Sequence, residues 1–247
     1  MGYLSLVVLL ALPLSAKDVK VSTASLGTEL GAYAASTAPL TLDLISARFA
    51  EVDSRMNSLK ASFRQFVRMD GADIVQSVEG GVLFLKPDLL RMTQRIPERQ
   101  TVVCDGTWLW VHRESTDQVI QTRLEAWRKS EPLAKGLLDF GRSADLLKRY
   151  SAVLSTVSAP GTDGHRTFAV TLTPRPEDRK DGGADFELTL KASTRDFFPY
   201  DARLRVGRAS IHSIFEAVRL NPELPAETFR FTPPPSADVF QTPSPTP

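Results

Sequence analysis

The side chains of this chain that could make or break bonds are few. Cys104, Asp105 and His112 fall close together around an Asp-Gly turn. A thiol with an imidazole base and a carboxylate is a combination used for acyl transfer. Yet Cys104 sits in an apolar, period-two stretch, where a small buried thiol is the simpler reading. It is also the only cysteine, so no intrachain disulfide forms. His165 follows Gly164, and His212 lies within a strand-like run; neither belongs to a metal-binding spacing such as HExxH. Asp178, Arg179, Lys180 and Asp181 read as a solvated loop. Thus neither an enzyme nor a metal or cofactor site is expected. The 247 residues carry 30 Lys and Arg against 29 Asp and Glu, a net charge of +1, which argues against a nucleic-acid partner. What the chain supplies instead is apolar side chains at regular spacing, and the chemistry they can do is to take something apolar out of water.

The elements that would position them follow from periodicity. Pro39 and Thr41 mark a helix start, and Asp43 suits its first turn. Leu42, Ile45, Phe49, Val52 and Met56 then form one helical stripe. From Phe63 the period becomes two. Strands are expected at Phe63 to Met69, Ile74 to Lys86, and around Leu90 and Met92, with Pro87 as a break. Thr101 to Cys104 and Trp108 to His112 flank Asp105-Gly106, a strong hairpin signal. Val119 to Thr122 follows. Residues 132–150 are helical in pattern, divided at Gly141, with Ser143 placed to cap the second piece. Alternation resumes through Phe168, Val170 and Leu172, then Phe186, Leu188 and Leu190, Leu204 and Val206, and Ile211 to Leu220. About eight to eleven antiparallel strands with a helical insertion predict a mainly β (α+β) fold. The expected form is an open antiparallel half-barrel whose apolar concave face lies under a helical lid.

The ends differ from this middle. Leu4 to Leu14 is an uncharged apolar run too short to span a bilayer, followed by Ser15-Ala16, which predicts a signal peptide over 1–16 cut near Ala16. No cysteine lies near the cut, so no lipid anchor is expected there. Residues 17–38 read as a flexible leader, 39–240 as the folded domain, ending in a short strand at Val239-Phe240, and 241–247 as a Pro-rich tail.

Five segments follow one another along the chain: Lys60-Ala61-Ser62-Phe63-Arg64-Gln65-Phe66, Gly80 to Pro87 (GGVLFLKP), Val103 to Trp110 (VCDGTWLW), Phe168 to Pro174 (FAVTLTP) and Phe229 to Pro234 (FRFTPP). In this order they resemble the periplasmic outer-membrane lipoprotein carriers, the LolA family. The resemblance implies a periplasmic monomer that takes triacylated lipoproteins from an inner-membrane ABC transporter. It implies delivery towards the outer membrane, where an acceptor is the expected receiver. It also implies a lid latch at Lys86, where the family carries Arg before the Pro; Lys offers a single-point contact where Arg forks, so closure would be looser. The family's cavity-facing apolar position three after that Pro is Leu90 here.

The cavity is therefore expected to be lined by Phe63, Leu90, Met92, Trp108, Trp110, Leu137, Leu138, Phe186, Leu188 and Leu190. Acyl chains offer nothing to hydrogen-bond and cost about 0.8 kcal/mol per CH₂ in water, so a carrier needs apolar concavity rather than a polar constellation. Leu90→Glu is expected to weaken transfer in a domain that still folds. The alternatives are a binding module of the same fold for another amphiphile, and an envelope structural protein with a filled barrel.

Overall fold

Helix α1 (Leu42–Arg55) begins where the sequence places it: the Thr41 hydroxyl oxygen accepts from the Leu44 amide at 3.3 Å. Its stripe is buried through Ile45 and Phe49. The computed structural model describes residues 39–71, 75–130, 140–177 and 185–242. The expected signal peptide, leader and most of the tail lie outside the described residues, as do Leu137 and Leu138.

The strands are β1 (Ser58–Met69), β2 (Val75–Leu85), β3 (Leu89–Ile96), β4 (Gln100–Asp105), β5 (Trp108–Arg113), β6 (Gln118–Arg123), β7 (Ser151–Val157), β8 (Thr167–Thr173), β9 (Phe186–Ser193), β10 (Asp201–Val206), β11 (Ala209–Leu220) and β12 (Asp238–Gln241). They form one sheet in the order β12-β6-β5-β4-β3-β2-β1-β11-β10-β9-β8-β7. Every ladder is antiparallel except β12 on β6, which is parallel. The strands β12 and β7 are its edges, so the sheet is open, as expected. The Asp-Gly hairpin joins β4 to β5, with Gly106 at φ 90° and the Asp105 carboxylate accepting from the Thr107 and Trp108 amides at 2.9 and 2.7 Å.

Helices α2 (Leu124–Ser130) and α3 (Ser143–Arg149) are the other α-helices among the described residues. Helix α1 packs on α3 and β7, and α2 lies against β5 and β6. Phe49 meets Phe168, Phe140 sits between Phe84 and Phe215, and Tyr150 meets Phe186 edge-on at 4.9 Å. These contacts cover one face of the sheet and make the core. On the opposite face a 3₁₀ turn (Ala226–Phe229) lies on β3 and β4. There Arg91 donates to the Thr228 carbonyl at 3.1 Å, and Phe229 and Val103 are buried.

Candidate functional site

Pairing register decides which side chains share the covered face. Leu90 stands opposite Phe84 and Cys104, and Met92 opposite Val82 and Val102. Phe63 pairs with Gly80 and Phe215. Across β1 and β11 the same face continues through Leu204 and Ala202 to Leu188 and Leu190, with Phe186 opposite Val206. Phe63, Leu90, Leu188 and Leu190 are each 5% exposed and Phe186 is 7%. Met92 is half-buried on the same face. Gly80 has a packing reason: a Cβ there would stand 2.3 Å from the Thr93 carbonyl oxygen and 2.8 Å from the Phe63 ring.

Trp108 and Trp110 do not join this set. Trp110 pairs with Val103 and Gln121, whereas Leu109 and Val111 pair with Cys104 and Val102, so both tryptophans point to the other face. There Trp110 donates to Asp105 at 3.1 Å and packs on Phe231, and Arg123 lies over the Trp108 ring at 4.3 Å. The cavity expectation for these two is corrected: β5 alternates two apolar sets, and only the register with β4 tells which faces in. The same parity separates Cys104 from His112, which pairs with Thr101 on the tryptophan side, so the two cannot act as a dyad. His112 instead contacts Asp117 at 3.3 Å. The Ser236 hydroxyl, and then His112, hold that carboxyl below its ordinary range.

Lys86, at the end of β2, donates through Nζ to the Asp53 carbonyl oxygen in the last turn of α1. The carbonyl is one of those a helix leaves without an internal partner, and the ammonium suits the negative end of the helix dipole. Asn221 donates to the Arg55 carbonyl at 3.0 Å beside it. The Asp53 carboxylate meanwhile accepts from the Ala144 amide at 2.8 Å, and also from the Ser143 backbone. Asp53, rather than Ser143, thus caps α3; Ser143 is the first helical residue, and Arg142 before it makes no side-chain cap bond. Sequence spacing carried no sign of Asp53, because the cap comes from a helix far away in the chain. Gly141, at φ 74°, presses against the junction: a Cβ there would stand 2.6 Å from the Met56 methyl and 3.2 Å from Lys86 Cε. A cleft of about 320 Å³ opens here between Asp53, Lys86, Gly141 and Asp145, with Phe84 and Phe140 at its apolar side.

The family model described as outer membrane lipoprotein carrier protein LolA matches residues 54–232. The chain belongs to that family. An outer-membrane lipoprotein carrier protein of Dechloromonas aromatica is 30% identical over 74% of this chain and 80% of its own length. One from Halorhodospira halophila is 28% identical over 75% of this chain and 80% of its own length. A LolA superfamily protein of Nitrosomonas europaea, solved by crystallography, aligns with a TM-score of 0.41 at 15% identity, covering 78% of this chain and 99% of that one.

Within this LolA-family frame Cys104 becomes a reporter rather than a nucleophile. It is 4% exposed on the covered face, and burial pushes its thiol from 9.0 up to about 11. This lowers the thiolate fraction roughly a hundredfold at neutral pH. Native protein at pH 8 is expected to react with a thiol reagent at least about a hundredfold more slowly than protein in guanidinium. Equal rates would show the covered face to be open. A raised folded pKa means that this contribution to stability is intact below pH 9.0 and is lost as pH rises through about 11.

Proposed function

We propose that the protein is a periplasmic carrier that holds the acyl chains of lipoproteins against the concave face of its sheet and shuttles them from the inner to the outer membrane. Family membership supports this, since the relatives above are named as such carriers. The observation that carries it is architectural. An unclosed sheet keeps one face apolar across its width, and short helices cover that face, two of them joined through the polar contact of Lys86, Asp53 and Ala144. Loading would exchange helix contacts for acyl contacts on Phe63, Leu90, Met92, Phe186, Leu188 and Leu190. Because the lid competes with the cargo, uptake and release stay near balance, as transfer between two partners requires. Lys86 serves as the latch through the last turn of α1. The donor in this scheme is an inner-membrane ABC transporter, and the receiver an outer-membrane acceptor where one exists.

Native mass spectrometry of protein released gently from the periplasm, with lipid extraction, tests the reading. Copurifying acylated protein is the expected result. Copurifying phospholipid alone would mean a carrier of another amphiphile. An apo mass that also refuses added lipoprotein would point to a filled-barrel envelope protein.

A further inference from the structure

Resting on that carrier reading, we infer that Gln94 and Gln100 form a subsite that takes the secondary amide of an N-acylated peptide. The two stand directly opposite each other on β3 and β4, on the same face as Leu90 and Met92. Each is only 5% exposed. The Gln94 amide is oriented by its own bond: Nε2 donates to the Glu98 carbonyl at 3.1 Å, which leaves Oε1 as the free acceptor. That Oε1 is buried and has no partner, and neither has Nε2 of Gln100. Cores rarely leave buried amide atoms unpaired, and here an acceptor and a donor stand on directly paired positions of neighbouring strands.

A secondary amide carries one N–H and one C=O, and so it completes both. An ester offers acceptors alone: it would satisfy Gln100 and leave Oε1 of Gln94 unpaired. The placement suits the linkage of a bound chain. Met92 and Val102 lie two residues along the same strands, about 7 Å away, and Leu90 and Cys104 two further. An acyl chain lying on those apolar pairs would bring its carbonyl end to the glutamines.

The test compares binding of an N-palmitoyl-glycyl peptide with its ester isostere, a palmitoyl-glycolyl peptide of the same sequence, to the purified protein. The wild type is expected to prefer the amide by about five- to tenfold, the worth of one added hydrogen bond. Gln94→Met should abolish the preference, since it removes the acceptor for the amide N–H, whereas Gln100→Met should weaken amide and ester alike, keep the preference and leave the melting temperature unchanged or higher, since it removes an unpaired buried group. Equal affinities in the wild type, or a preference that survives in Gln94→Met, would overturn the subsite and leave the carrier reading standing. Failure of the wild type to bind either peptide would sink the carrier reading and the subsite together.

Discussion

Leu90→Glu is expected to lower the melting temperature by about 10 °C at pH 7, rather than to yield the intact, transfer-defective domain that the sequence suggests. Leu90 is 5% exposed, and its cross-strand neighbours Phe84 and Cys104 offer no cation or amide donor to receive a carboxylate. A buried, unpaired carboxylate escapes by taking up a proton, and its pKa rises by roughly 3 units in such surroundings. At about 1.4 kcal/mol per unit this is roughly 4 kcal/mol at neutral pH, and a domain of this size loses about 2–4 °C per kcal/mol. The sign in pH follows. A pKa raised in the folded state leaves the variant least impaired below the ordinary glutamate value, about 4.3, and progressively weaker as pH rises above it. Thermal melts at pH 4 and pH 7 check this; equal melting temperatures at the two pH values would show that the position is open to water. Met92, half-buried on the same face, is the better place for a polar probe of cargo contact.

That difference shows what the sequence could and could not disclose. Periodicity is local, so the α1 stripe, the Asp105-Gly106 hairpin and the alternating strands are legible, and with them an open β fold under helices. Whether a position that faces inwards is lining or packed core is not a local property; Leu90 becomes core because helices and Phe140 close over its face. The tryptophans fail for a related reason. Trp108 and Trp110 alternate with Leu109 and Val111, so both faces of β5 are apolar, and hydrophobicity gives no direction. The outer set is needed because the C-terminal segment brings Phe231 against Trp110 and His112, a contact between distant parts of the chain. Likewise Val239-Phe240 reads as a strand, but its parallel pairing with β6 is a choice made by tertiary structure.

The Asp53 junction leads to two substitutions with opposite expected effects. Asp53→Ala removes the cap from α3 and leaves the Ala144 and Ser143 amides without their acceptor. Loss of such a cap costs about 1 kcal/mol, so transient opening, read as Cys104 labelling under native conditions, should quicken by about fivefold or more. Asp53→Asn keeps an oxygen that can accept from Ala144 but carries no charge. Burial, the largest influence on this carboxyl, raises its pKa above 3.8 despite the backbone bonds and Lys86, so the ionised form is held at a net cost. A folded pKa raised in this way means that the junction is firmest below pH 3.8 and loosens as pH rises through the folded value. At pH 7 the neutral amide should therefore slow Cys104 labelling relative to wild type, and cargo should bind more weakly because it competes with a better-closed lid. Lys86→Ala should act in the direction of Asp53→Ala, and the double variant should open by less than the product of the two, since both bonds meet on one residue. Labelling that quickens in Asp53→Asn, or multiplies fully in the double variant, would mean that Lys86 and Asp53 hold the helices independently and that the latch is not a single switch.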